Sequence, residues 1–227
     1  MKLLATILFC TLIISCGAKD ADNVNVQISY TPTLDSVCIF IKGGDIKDDW
    51  HKELLLKKVE LEREWKRIGP MLISTTEEIT GQLFEGGEHN VNLTLCDTPS
   101  RSFPLILNMR HSLSSFTDNP VSIQDKVGTL FHELLHPYIS EHLPKSAPAL
   151  AKYKNEDPRV LDHIHLLALQ KAVYLKLGFE QELSSIIAMD NRIPNGHYKR
   201  SWEIVNSSES YYKTLVAELE NKTNSPE

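Results

Sequence analysis

The stretch GTLFHELLHPYISEH, residues 128–142, sets His132, Glu133 and His136 in the order His-Glu-x-x-His. Positions i and i+4 of an α-helix lie on one face about one turn apart, so His132 and His136 can aim their imidazoles at a single ion. Glu133 is turned about 100° from His132. From there its carboxylate can hydrogen-bond a water held at that ion without itself becoming a ligand. It can take the water's proton as the water attacks a carbonyl, then pass it to the leaving amine. Leu130, Phe131, Leu134 and Leu135 make the segment apolar and helix-compatible, and Ser122 followed by Asp125 offers a loose capping box near its start.

Zinc in a catalytic site normally takes three protein ligands plus water, so one ligand has to come from elsewhere. The nearest strong helix signal is EDPRVLDHIHLLALQKAVYLKLG, residues 156–178, where Asp157 can cap, Pro158 suits the first turn and Gly178 can terminate. On a helical wheel His165 shares a face with Leu161, Ala168 and Ala172, while His163 points nearly opposite. The small alanines would let two helices approach closely. A lone histidine on an apolar face is more often a hydrogen-bonded core residue, but the unfilled ligand position favours His165 as the third ligand. His163 follows it, then Glu156, Asp157 and Asp162. Asp162 can instead orient a ligand from behind, or simply be solvated.

Working outward, VNVQISY (residues 24–30) alternates as a strand, and VCIFI (residues 37–41) reads as another short strand. A helix is expected from residue 48 or 49 to 68, with Trp50, Leu54, Val59, Leu61 and Trp65 as its apolar positions and Gly69-Pro70 as its stop. The runs NVNLTLC and FPLILNM, separated by DTPSRS, suggest a hairpin. After His136 the prolines Pro137, Pro144 and Pro148 suggest loop. Weaker helical patterns continue at QELSSIIAM, YKRSWEIV and YYKTLVAELE.

On His132, Glu133 and His136, placed on a helix after sheet-forming runs, the sequence resembles the zincin metallopeptidases. The resemblance implies an α+β fold: an N-terminal mixed sheet with helices, then the active-site helix, then a mainly helical half that supplies the remaining ligand. It implies Zn2+ as cofactor, Glu133 as general base and a peptide or protein substrate. His142 would give the metzincin spacing, but that family needs glycine midway, where this chain has β-branched Ile139 just after Pro137. Met189 reads as core rather than as a metzincin methionine. A ligand from a later helix is the gluzincin-like arrangement, from which a histidine in place of the usual glutamate departs. His197 and Tyr198 lie where several zincins stabilise an oxyanion, although a helix-start loop explains GHYKRSW equally well. His111 follows the second apolar run and can line a cleft by the same analogy.

The first residues, MKLLATILFCTLIISC, have the form of a secretory signal, and Ile13-Ile14-Ser15-Cys16 resembles the bacterial lipobox. That resemblance implies a signal peptide over residues 1–15 and a lipid on Cys16. It also implies a tether over 16–23 and an exported lipoprotein of the outer membrane. A single domain is expected over 24–220, with a polar tail over 221–227. Cys38 and Cys96 then remain, either paired or as two buried thiols. The sequons at Asn92, Asn206 and Asn221 carry no meaning outside a eukaryotic secretory pathway. The chain is 41% hydrophobic and carries a net charge of −6 with scattered basic residues, so it has no footprint for nucleic acid. A catalytically silent zincin-fold lipoprotein acting as a binding or assembly module is the competing expectation.

Overall fold

The alternation of VNVQISY makes β1, Val24–Tyr30, an edge strand of a mixed sheet in a computed structural model that describes residues 24–220. The expected signal, Cys16, tether and tail lie outside the described residues. The sheet has four strands in the order β1-β2-β4-β3, with β2 at Gly87–Thr94, β3 at Arg101–Ser102 and β4 at Leu105–Asn108. The fold is α+β, with seven α-helices among the described residues.

The two apolar runs expected to form a hairpin are neighbours but run parallel: Asn92 to Thr94 of β2 pair with Ile106 to Asn108 of β4. The true hairpin is β3 with β4. The polar connection carries the chain past the place β4 will fill, and β4 then slots between β2 and β3. Asn108 ties that connection down, its Nδ2 donating to the carbonyls of Cys96 at 3.0 Å and Thr98 at 2.5 Å. Apolar patterning is the same for parallel and antiparallel partners, so it could not tell them apart.

VCIFI is helix, not strand. It lies in α1, Pro32–Lys42, which starts with proline in its first turn and is held by buried Asp35. That carboxylate accepts from Tyr30 Oη at 2.9 Å, Thr94 Oγ1 at 2.5 Å and the Leu95 amide at 3.0 Å. These long-range bonds outweigh the β-preference of a short apolar run. Cys38 of α1 is disulfide-bonded to Cys96, their Cα atoms 6.1 Å apart.

Helix α2, Asp48–Thr80, runs past the expected stop at Gly69-Pro70 and ends instead at Gly81, whose φ of 68° is left-handed. Pro70 is exposed, so the carbonyl it leaves without an amide can turn to water. Gly69 is needed there, because a Cβ would sit 2.6 Å from the Trp65 ring. Helix α3, Ile123–His142, likewise continues through exposed Pro137. Its last turns are held by buried Tyr138 and Ile139, and the Tyr138 hydroxyl donates to the Gln82 carbonyl at 3.1 Å.

Helices α4 (Pro158–Lys176), α5 (Glu180–Asp190), α6 (His197–Val205) and α7 (Glu209–Ala217) fall where their patterns suggested. Helix α4 is the hub of this half, packed against α2, α3, α5, α6 and α7. One hydrophobic cluster runs from Ile28 in the sheet to Leu219 beyond α7. No helix among the described residues is long and apolar enough to cross a membrane.

Candidate metal centre

Helix α3 begins as its sequence suggests, with Ser122 Oγ accepting from the Asp125 amide at 3.0 Å. Two and a half turns on, the helix presents His132 and His136 one turn apart, their ring centroids 5.0 Å from each other. Helix α4 begins with the Asp157 carboxylate accepting from the Arg159 amide at 2.9 Å and brings in His163. The His163 ring lies 5.4 Å from that of His132 and 5.0 Å from that of His136. One nitrogen from each of His132, His136 and His163 lies within 4.8 Å of the other two. Modest rotations about the soft terminal torsions would close that spacing to the ~3.4 Å between nitrogens of a tetrahedral zinc.

Hydrogen bonds decide which nitrogens are free. Gln170 Nε2 donates to the Gly128 carbonyl at 3.3 Å, which turns its Oε1 toward His132 Nδ1, also at 3.3 Å. An amide oxygen only accepts, so His132 carries its proton on Nδ1 and keeps a lone pair on Nε2. His163 Nδ1 donates to the Arg159 carbonyl at 2.5 Å. The Nε2 atoms of both His132 and His163 are buried without any hydrogen-bond partner. Buried polar atoms rarely go unpaired, and metal-binding imidazoles characteristically donate their other N–H to a carbonyl or carboxylate.

Burial keeps these rings neutral. It holds His132 well below the usual histidine range, helped by the neighbouring His136 and His163, and it brings His136 down to about 4. His163 is lowered by the same cause. Glu133, beside His132 on α3, is buried too, and loss of water pushes its carboxyl up to about 8. Tyr198, near the start of α6, stands 4.5 Å from the His163 ring and 5.5 Å from that of His132. Burial first, then the carboxylates of Glu133 and Asp190, hold its phenol protonated.

His165, the expected third ligand, is not in this cluster. Its Nε2 is bonded at 2.7 Å to Glu218 Oε2, just past α7, and the other Glu218 oxygen accepts from the Ala149 amide at 2.8 Å. Helix α4 is buried on nearly every side, so an apolar face does not say which neighbour it meets. His142 is also elsewhere: α3 stays helical, which carries it about 9 Å along the axis from His136, and its Nε2 lies 3.1 Å from the Leu83 carbonyl.

The carboxylates are committed or outside. Glu156 binds Arg200 and Asp157 caps α4, while Asp162 is exposed. His111 lies against Phe116, on a 3-10 turn after β4. Met189 sits within a helix, not a turn. The residue that sequence reasoning passed over is Gln170. It stands seven positions after His163, on the same stripe of α4, and it is the one polar residue among the apolar positions from Leu166 to Val173 apart from Lys171. That fully buried amide marked the His163 stripe as the polar one.

The chain matches no protein-family profile, no curated protein and no solved structure.

Proposed function

We propose that this chain is a zinc-dependent peptidase in which His132, His136 and His163 hold the metal and Glu133 is the general base. The observation that carries the reading is the pair of buried, unpartnered Nε2 atoms of His132 and His163 beside His136 and a buried carboxylate. Three neutral imidazoles are a good donor set for zinc, whereas calcium or magnesium would call for oxygen ligands. Zinc, when bound, supplies a Lewis acid that polarises a carbonyl and lowers the pKa of water.

The remaining steps belong to the chain. Gln170 and the Arg159 carbonyl fix the tautomers and orientations of their histidines before any metal arrives. Glu133, adjacent to a ligand and shielded from bulk water, accepts the proton of the attacking water and returns it to the leaving amine. Tyr198, held protonated at the edge of the histidine cluster, is available to donate to the oxygen that gains charge. A zincin-like arrangement, in which the later helix gives histidine where gluzincins usually give glutamate, fits the element order. The lipobox at Cys16 supports placing the enzyme on a membrane, exported and acting on a peptide or protein substrate.

The test is bound zinc in the purified protein and in its His163→Ala and His165→Ala variants, with peptide hydrolysis followed in Glu133→Gln. Zinc lost with His163 but kept without His165, together with loss of hydrolysis in a zinc-replete Glu133→Gln protein, is the expected result. No zinc in the unmutated protein after reconstitution would sink the proposal. Zinc without a Glu133-dependent hydrolysis would favour the binding-module alternative.

A further inference from the structure

Helix α1 turns its apolar side chains outward. Val37, Phe40 and Ile41, spaced i, i+3 and i+4, are 49%, 88% and 72% exposed. Beside them opens a cavity of about 200 Å³ lined by Val37, Ile41 and Ile106, with Lys42 and Arg101 among its polar walls. Arg101 starts the β3–β4 hairpin, whose turn carries Phe103, 93% exposed. Exposed apolar patches of this kind mark interaction surfaces.

The chain ahead of β1 says what covers them. An apolar leader ends at Cys16, eight Cα steps before Val24. Those steps reach roughly 26–29 Å when extended, while β1 spans roughly 23 Å from Val24 toward α1. A lipid on Cys16 held in a bilayer would therefore leave enough chain for the α1 face to meet the same surface. Lys42 and Arg101 suit anionic headgroups, and phenylalanine with aliphatic neighbours suits the boundary between headgroups and acyl chains.

We propose, resting on the lipid anchor proposed for Cys16, that the α1 face and the Phe103 turn insert into the interfacial layer of the lipid bilayer and seat the domain on the anchored surface. This contact goes beyond the proposed peptidase activity and is independent of metal.

The test uses the full chain reconstituted in phosphatidylethanolamine–phosphatidylglycerol vesicles, with Phe40→Trp and Phe103→Trp as depth probes. Val59→Trp and Leu83→Trp are the controls, at residues 60% and 59% exposed elsewhere on the molecule. The native Trp50, Trp65 and Trp202 are buried and supply a constant background. Lipids brominated on their acyl chains should quench the probes at positions 40 and 103 severalfold more than those at 59 and 83. Equal quenching at all four positions, or none at 40, would overturn the proposal. So would a blue shift at 40 without bromine quenching that fades on dilution, because a second copy of the chain would then be what covers the face.

Discussion

His163 and His165 stand two residues apart on α4 and serve opposite neighbours. His163 meets the imidazoles of α3, where nothing donates to or accepts from its Nε2. His165 meets Glu218, which takes up its Nε2. Burial lowers the pKa of both rings, so they differ by what the facing helix offers rather than by their own ionisation. Two imidazoles and the Tyr198 phenol face His163, and the three histidine nitrogens converge closely enough to share a cation. The carboxylate facing His165 occupies its Nε2 and leaves only its buried Nδ1 without a partner, with no second imidazole beside it to share an ion. The peptidase reading stands or falls with this contrast.

The largest effect should come from Glu133→Gln, which removes the proton acceptor but none of the nitrogens. Peptide hydrolysis should fall about 10²–10⁴-fold, the usual worth of a general base, with bound zinc unchanged by metal analysis. Next comes the direct contrast. His163→Ala should weaken zinc binding, measured against a competing chelator, by more than the ~10–100-fold typical of losing an outer partner. His165→Ala should leave zinc in place. It should instead lower stability in urea by about 1.5–3 kcal/mol, since the Glu218 carboxylate loses a charged hydrogen bond. If the two variants exchanged phenotypes, the assignment of ligand and structural histidine would be reversed.

Acid sharpens the same comparison. A histidine whose folded pKa lies below its unfolded value leaves stability intact above about pH 6.5, and stability is lost as pH falls through the folded value. His136, lowered to about 4, contributes a loss on the order of 3 kcal/mol between those limits in the metal-free protein. His132, His163 and His165 act in the same direction. Glu133 works the other way, its carboxyl raised to about 8 so that the fold weakens as pH rises toward that value. Urea melts of metal-free Glu133→Gln protein should therefore fall monotonically from pH 7 to 4. Gln170→Met, which keeps the volume but loses the acceptor for His132 Nδ1, should cost about 10–100-fold in zinc affinity.

How much of this was legible in sequence follows from how local each signal is. The His132–Glu133–His136 face, the Ser122 cap and the Asp157–Pro158 start of α4 depend on residues within one or two turns, and all were readable. The parallel pairing of β2 with β4 depends on a strand that arrives later. The helicity of VCIFI depends on Asp35 reaching Thr94 and Leu95. Proline removes a helix hydrogen bond, so Pro70 and Pro137 suggest helix ends, yet both lie on exposed faces where the freed carbonyl can turn to solvent. His163 ranked behind His165 because helical wheels rank faces by apolarity, and a hub helix is apolar almost all round. Buried Gln170 on the His163 stripe was the overlooked discriminator.

The smallest predicted effect tests why α3 comes near enough for that amide to work. The sequence suggested Ala168 and Ala172 of α4 as the residues permitting close approach, and Gly128 of α3 is a further small residue, packed under Ile186 of α5 and Tyr174 of α4. A Cβ there would lie 2.7 Å from Ile186 Cδ1 and 3.2 Å from the Tyr174 hydroxyl. The Gly128 carbonyl is also the group that orients Gln170. Gly128→Ala should gain helix propensity, about 1 kcal/mol at most, and lose more to overpacking, for a net destabilisation of about 1 kcal/mol. Because Gly128 lies one turn before His132, the strain should also loosen the Gln170 bond and lower zinc affinity by a few-fold, while leaving the His165–Glu218 side unaffected. A variant with normal zinc affinity would show that the ligand cluster tolerates movement of α3. The preset tautomer of His132 would then matter less than the convergence of the three rings.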